Sequence, residues 1–338
     1  MSFRDATRYE HLCTWVIEHP WALTRDWCAL IAGILANRIA GDAPDEAGIA
    51  LAMQAREGRT LPVASGGSVA VIPIKGVIAP RMNLFSNISG GTTFEGLGQE
   101  VRAAAADPNI KAIVLDVDSP GGNVAGATIF HHEIMRAKER TPVIGQVQFL
   151  GASAAYWALS ACSEIVAAPE SLVGSIGVYA LHDDISKALA QRGITRSVLS
   201  AGKFKAEGVD GGPLTDDARA HVQGLIDGAY GRFVGDVARG RKIRPADVRN
   251  GFGEGRVIDA DQALALGMID RIATLSDTLA RVTAPTVGLA RGTASNAPSA
   301  ATLQDQPPIA AVAPASAPRT VRDPAFLAYE RRELALLR

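Results

Sequence analysis

The residues best suited to chemistry lie around Ser153, which stands among glycine and alanine in the run GASAAYWA at residues 151–158. The apolar run before it, residues 143–147, predicts a strand, and the residues after it predict a buried apolar helix. A serine at such a corner presents an exposed hydroxyl, and N–H groups at the helix N-terminus favour developing negative charge. Ser153 is therefore a candidate nucleophile for acyl transfer.

A second loop suited to chemistry is DSPGG at residues 118–122, between a predicted strand at 111–117 and a predicted helix at 124–140. Its two glycines let the backbone approach a bound group closely and direct N–H groups at it, as in an oxyanion hole. Pro-Gly-Gly is also a common turn. The oxyanion interpretation therefore depends on Ser153 lying at the end of the next strand, where ligands of parallel sheets bind.

The general base is not settled by pattern alone. No histidine lies in a loop that clearly pairs it with Ser153; the six are His11, His19, His131, His132, His182 and His221. A buried lysine loses charge stabilisation, so its pKa falls and it can act as a base. Residues 200–208 follow a predicted strand at 195–199 and carry Lys203 and Lys205. Strand alternation places both lysines on one face, which leaves the choice between them open.

The composition excludes several classes of partner. The 338 residues hold 34 Lys and Arg against 35 Asp and Glu, so the net charge of −1 gives no indication of a nucleic-acid partner. Three scattered cysteines, Cys13, Cys28 and Cys162, predict neither a disulfide framework nor a zinc site, and they fit a reducing cytoplasm. The N-terminus lacks a secretory pattern, and no apolar run is long enough for a membrane anchor. We therefore expect a soluble cytoplasmic protein.

Four regions follow from pattern and composition. Residues 1–62 show broadly helical apolar spacing, and residues 63–283 alternate strands and helices, which predicts an α/β domain with a mostly parallel sheet and flanking helices. Residues 284–320 are rich in Pro and Ala and predict a disordered linker. Residues 321–338 favour a short terminal helix, read either as a docking peptide or as a frayed end.

Four motifs follow one another in the order DSPGG (118–122), GASAAY (151–156), GSIGV (174–178) and GKFK (202–205). Together they resemble the S49 serine peptidases, the signal peptide peptidase A family, over roughly residues 65 to 275. The resemblance implies a ClpP/crotonase-like fold, here with a helical N-terminal extension. It also implies a Ser-Lys dyad that uses neither metal nor cofactor.

The resemblance assigns roles to individual residues. It implies Ser153 as nucleophile, Lys205 as base, Ser175 as the group that orients the lysine, and an oxyanion hole formed by Gly121 or Gly122 with the N–H of Ala154. The family often has Ser-Gly-Gly-Tyr at the nucleophile, whereas this chain has Ser-Ala-Ala-Tyr at residues 153–156. Alanine keeps the N–H group, and its methyl narrows the site. We therefore expect small or apolar side chains at the cleaved bond.

The N-terminal region and the Pro/Ala-rich tail resemble the phage head-maturation branch of this family. That branch implies processing of capsid, portal or scaffold proteins, and of the protease itself, in the host cytoplasm or inside the procapsid, by a homo-oligomer. Residues 284–320 would then be a region for self-cleavage. Two alternatives stay open: a cytoplasmic peptidase of signal-peptide fragments, and a non-proteolytic crotonase-like enzyme or inactive scaffold-binding module.

Overall fold

The computed structural model describes residues 21–24, 68–80, 92–208 and 211–284. The rest of the N-terminal region 1–62 lies outside these ranges, as do residues 285–320 and the terminal segment 321–338. The predictions of a linker and of a terminal helix therefore stay predictions.

Most strands in these ranges are short. In chain order they are β1 Trp21–Leu23, β2 Val69–Lys75, β3 Ile78–Ala79, β4 Thr92–Thr93, β5 Ala112–Ser119, β6 Gly121–Asn123, β7 Val143–Ala152, β8 Glu164–Ala167, β9 Leu172–Gly174, β10 Val257–Asp259 and β11 Arg271–Ile272. The exceptions are three neighbouring strands of the larger sheet, β2, β5 and β7.

The helices alternate with these strands, as the sequence predicts. They are α1 Phe94–Ala106, α2 Ala127–Ala137, α3 Ala154–Leu159, α4 Ser186–Gln191, α5 Asp216–Arg241, α6 Pro245–Gly251, α7 Ala260–Ala265 and α8 Leu275–Thr283. Across the described ranges, no helix combines the length and the apolar character that crossing a membrane requires.

The larger sheet is mainly parallel and has the order β10-β9-β7-β5-β2, with β8 beside β7 and β11 beside β8. The long strand β7 pairs with β8 through its first half and with β9 through its second half. Its neighbour β5 is buried on both faces along most of its length, as its continuous apolar run predicts. This helix-flanked sheet confirms the predicted α/β class and agrees with a ClpP/crotonase-like fold.

A smaller sheet, of order β1-β6-β3-β4 among the described residues, carries the DSPGG loop beside the larger one. Here one prediction is wrong: Trp21–Leu23 is a strand, although its apolar spacing indicated helix. Its backbone pairs with β6, a tertiary contact that periodicity cannot reveal. The strand predicted at 195–199 is also absent, since this exposed stretch pairs with no neighbouring strand.

The short helix α3 is completely buried, and its two large side chains fix it to the rest of the domain. The Tyr156 hydroxyl donates to the Met268 carbonyl (2.8 Å), and burial raises the pKa of this hydroxyl. The Trp157 Nε1–H donates to Asp236 Oδ2 (2.8 Å) on α5, and its ring stacks on Phe233 at 4.4 Å. These contacts hold α3 in place, and they therefore fix the position of the residue at its N-terminus.

The long helix α5 begins where its sequence predicts, because the Thr215 side chain accepts a hydrogen bond from the Ala218 N–H. Its predicted apolar stripe is buried at Ala218 and again from Ala229 onward. The prediction is wrong for the middle of the stripe, because Leu225 is 52% exposed. The buried second half is the part that carries Phe233 and Asp236.

Replacing Asp236 with Ala should destabilise the protein by about 2–4 kcal/mol, because it leaves the buried Trp157 N–H without an acceptor and Arg239 without its carboxylate. The matched control is Asp227→Ala, an exposed carboxylate on the same helix, for which we expect a change within about 0.5 kcal/mol. Urea unfolding measures both. Equal effects would contradict a supporting role for Asp236.

Candidate active site

Ser153 caps the N-terminus of α3 at the end of β7, so the predicted strand-to-helix corner is confirmed. Its backbone lies in the left-handed region (φ 54°), which a non-glycine residue adopts only when its surroundings impose it. The expected exposure of its hydroxyl is wrong, because Ser153 is 0% exposed; its Oγ makes no hydrogen bond with any of the described residues. Ser153 therefore combines a strained backbone conformation with a buried hydroxyl that lacks a hydrogen-bond partner.

The strained conformation is held by its backbone neighbours. The Ser153 N–H donates to the Gly174 carbonyl at 2.7 Å, and the Ser153 carbonyl accepts from the Trp157 N–H at 2.9 Å. The first bond ties the corner to β9, and the second makes Ser153 part of α3. Ser153 is therefore fixed by two elements at once.

Ser175 follows β9 as Ser153 follows β7. The preceding residues, Ala152 and Gly174, are register partners in the parallel pair, so the two serines lie at adjacent strand ends. Ser175 also has φ 54°, is nearly buried, and donates its N–H to the Arg256 carbonyl at 2.7 Å. The structure thus brings together two residues that lie 22 positions apart in the chain.

The DSPGG loop packs against Ser153 through its glycines. A Cβ on Gly121, which has φ +105°, would lie 2.9 Å from the Cβ of Ser153. A Cβ on Gly122 would lie 1.9 Å from the carbonyl oxygen of Ile78. Both positions therefore need glycine for steric reasons, and the predicted proximity of this loop to Ser153 holds.

Ser119 is a residue whose part in the site the sequence did not reveal. It is completely buried at the end of β5, where its register partner is Gly151. Its hydroxyl donates to the Gly76 carbonyl (2.6 Å) and accepts from the Gly121 N–H (3.2 Å). Its place in the DSPGG motif was the available signal, but only the fold shows that its side chain fixes the diglycine turn.

The candidate lysines lie in a turn that is open to water. Lys205 is exposed and donates its backbone N–H to the Gly202 carbonyl, and the Lys203 ammonium lies 4.5 Å from the centre of the Phe204 ring. Because Ser153 Oγ has no hydrogen-bond partner in the part of the chain that the structure describes, neither lysine is bonded to it. The choice between the two lysines therefore stays open on geometry.

These lysines belong to an exposed arm, residues 179–208, whose helix α4 buries no residue. The arm presents an unusual number of large apolar side chains to water. They are Leu181, Ile185, Ile194, Val198, Leu199 and Phe204, and Leu199 is 97% exposed.

The histidines of the described ranges are buried without a hydrogen bond, bonded to other groups, or exposed. His131 is buried with neither ring nitrogen bonded, and this burial lowers its pKa to about 4. His182 Nε2 lies 2.8 Å from the Gly212 carbonyl oxygen, and His221 is exposed. None of them is bonded to Ser153 Oγ. His11 and His19 lie outside the described residues.

One group of side chains has the composition of a metal site. Ligand atoms of His131, His132 and Asp236 lie within 4.8 Å of one another. The Asp236 carboxylate, however, already accepts from the Trp157 N–H at 2.8 Å and from the Arg239 guanidinium at 2.6 Å. A metal ion would have to compete with the Arg239 guanidinium for this carboxylate. We therefore interpret the three side chains as a structural polar cluster.

Known proteins match this chain across the residues just described. Residues 135–289 match the sequence profile of the family described as Peptidase family S49. The chain is 30% identical over 230 residues to Protease 4 of Salmonella typhi, and 30% identical over 261 residues to the head-tail preconnector protein GP5 of Enterobacteria phage P21. It is 29% identical over 224 residues to the capsid assembly protease C of Escherichia phage lambda.

These matches cover most of the chain but only part of each relative. They take in 65%, 76% and 66% of this chain, respectively, and 35%, 51% and 50% of the relatives. The chain therefore spans about a third to a half of their length. The family match contains Ser153, Ser175 and Lys205, while the DSPGG loop lies before it.

The buried His131 should make stability depend on pH. Its pKa is about 4 in the folded protein and near 6.5 in the unfolded chain, so between these values only the unfolded chain binds the proton. Lowering the pH from 6.5 to 4 should therefore cost up to about 3 kcal/mol of stability through this group. Urea unfolding at stepped pH should show a smaller loss for His131→Leu than for wild type. The exposed control His221→Leu should follow wild type, and parallel curves for all three proteins would contradict the assignment.

Proposed function

Because residues 135–289 of this chain match peptidase family S49, we propose that the protein is a serine endopeptidase with Ser153 as nucleophile and Lys205 as general base. The observation that carries the proposal is the state of Ser153: strained, buried and unbonded at the N-terminus of a buried helix, against a diglycine loop. A strained backbone and an unsatisfied buried hydroxyl both destabilise the folded protein, and such features cluster at functional sites.

The reaction is an acyl transfer in two steps. Ser153 Oγ attacks a peptide carbonyl carbon while its proton passes to the neutral amine of Lys205, and the protonated lysine then delivers that proton to the leaving amine. Water hydrolyses the resulting ester, giving a carboxylate product and restoring the serine. These steps use only groups of the chain and water.

The developing oxyanion needs N–H donors already in place. Ala154 is the first residue of α3, and a first-turn N–H has no acceptor within its own helix. The N–H of Gly121 donates to the Ser119 hydroxyl, which favours Gly122 as the second donor. Loss of one such donor typically costs about 10²–10³ in rate.

Ser175 suits the role of a positioning residue. It stands one strand away from Ser153 and is held with the same positive φ, which supports a place for its hydroxyl beside the proposed nucleophile. Hydrogen bonding from this hydroxyl to the Lys205 amine would orient the amine towards the nucleophile. That role requires the arm to close on the strand ends.

Assembly of several copies is the proposed means of completing the site. A lysine base must be neutral, and burial is what favours the neutral form, whereas Lys205 is exposed in the single chain. The exposed apolar side chains of the arm support its packing against a second copy. A homo-oligomer would thus cover the arm and remove Lys205 from water.

Phage head proteins are the proposed substrates. The match to the head-tail preconnector protein GP5 covers 76% of this chain, against 65% for Protease 4, which favours the phage branch. We therefore propose capsid, portal or scaffold proteins and the chain itself as substrates, cut beside small residues in the host cytoplasm or procapsid. A peptidase of signal-peptide fragments is the second candidate, and it rests on the relatives named Protease 4.

Ser153→Ala and Lys205→Met should each lower cleavage of labelled casein at least about 10³-fold, because each removes a reacting group. The matched control is Lys203→Met, which should stay within about twofold of wild type, since its lysine lies two residues away in the same exposed turn. Intact mass spectrometry of each protein incubated with a capsid or scaffold protein locates the cuts. Full activity of Lys205→Met would assign the base to another residue.

Leu199→Glu should dissociate the assembly and lower activity in parallel, because it places a charge on the most exposed apolar side chain of the arm. Ile129→Glu, at a residue of α2 that is 68% exposed but outside the arm, is the control and should leave both unchanged. Light scattering after gel filtration measures the mass. A wild-type protein that cleaves casein as a monomer would contradict this part of the proposal.

A further inference from the structure

The diglycine strand β6 is paired on both sides, and one partner comes from the N-terminal region. β3 pairs with β6 at Gly122, and β1 pairs with it antiparallel along its whole length, with Ala22 opposite Gly122. Within the described residues nothing lies beyond β1 in this sheet. Removing β1 would therefore expose a row of backbone N–H and C=O groups, to which an extended peptide can add as a strand.

The strand β1 lies close to Ser153, the proposed nucleophile. A Cβ placed on Gly121 would lie 2.3 Å from the carbonyl oxygen of Ala22 and 2.9 Å from the Cβ of Ser153. That oxygen and Ser153 therefore border the same small space. Ala22 itself is completely buried and belongs to the main hydrophobic core.

The hydrogen-bond pattern directs the Ala22 carbonyl at the proposed oxyanion donor. The Thr24 N–H donates to the Pro120 carbonyl at 3.1 Å, so Thr24 and Pro120 occupy a hydrogen-bonding position of the ladder. Such positions recur every second residue in an antiparallel pair, which makes Ala22 and Gly122 the next one. The Gly122 N–H therefore faces the Ala22 carbonyl, in the place where a substrate carbonyl would lie.

We propose that residues 21–24, called here the β1 segment, are a substrate-like strand that occupies the active site in cis and holds the peptidase inactive. This inference rests on the proposed function, because it takes Ser153 as nucleophile and Gly122 as oxyanion donor. The segment lies on β6 as a substrate peptide would, and Ala22 takes the place of the residue whose carbonyl is attacked. Its methyl side chain marks that subsite as one for small residues.

The geometry predicts that the β1 segment and a substrate peptide compete for the same edge of β6. Two strands cannot pair with the same edge of β6, so a protein substrate gains access only when the β1 segment leaves. The segment is tethered to the enzyme, which gives it a high effective concentration at the site. Inhibition should therefore raise the apparent KM for an external substrate and leave kcat little changed.

The test compares full-length variants on labelled casein. Ala22→Asp places a carboxylate in a fully buried position and should release the segment, lowering KM about tenfold or more with kcat within about twofold. Ala22→Gly is the matched control, since it keeps the backbone bonds and the small size, and it should behave like wild type. A peptide of residues 19–25, HPWALTR, should inhibit Ala22→Asp competitively, whereas HPWDLTR should not.

A second measurement follows docking without activity. In a Ser153→Ala background, hydrogen exchange of the Gly122 backbone amide should become faster on adding Ala22→Asp and stay slow on adding Ala22→Gly. Unchanged exchange, or equal KM values for wild type and Ala22→Asp in active protein, would overturn this inference alone. Absence of Ser153-dependent cleavage in every variant would overturn the proposed function, and this inference with it.

Discussion

The site depends on one backbone hydrogen bond, from the Ser153 N–H to the Gly174 carbonyl. It holds a non-glycine residue in the left-handed region, which turns the chain from β7 into α3 within a single residue. Because Gly174 ends the neighbouring strand, the same bond sets Ser175 beside Ser153. The proposed nucleophile, its neighbouring serine and the helix N-terminus therefore come from one junction between two parallel strands.

This junction can carry strain because the helix behind it cannot move. Every residue of α3 is buried, Tyr156 is bonded to the Met268 carbonyl, and Trp157 is held between Asp236 and Phe233. The packing energy of these large side chains exceeds the few kcal/mol that a strained φ and an unsatisfied hydroxyl cost. The core of the domain thus keeps Ser153 in place before any substrate arrives.

The other half of the site is built differently. The diglycine strand β6 belongs to a small sheet and presents backbone groups rather than side chains, as recognition of an extended peptide requires. Ser119 fixes its turn, and the N-terminal β1 segment covers its outer edge. In the proposed site, the nucleophile Ser153 is held rigidly by the core. Access to it depends on the β1 segment, and the proposed base Lys205, on the exposed arm, depends on assembly.

The sequence by itself determined the α/β class, the strand-to-helix corner at Ser153 and the motif residues, because local periodicity and small-residue motifs encode them. It did not reveal the burial of Ser153, the role of Ser119 or the strand at Trp21–Leu23. Those features arise from contacts between segments that lie far apart in the chain, and local side-chain pattern does not specify such contacts. Side-chain alternation likewise does not separate Lys203 from Lys205, since it assigns only a face; the resemblance favours Lys205, and the contacts of the assembled site decide its role.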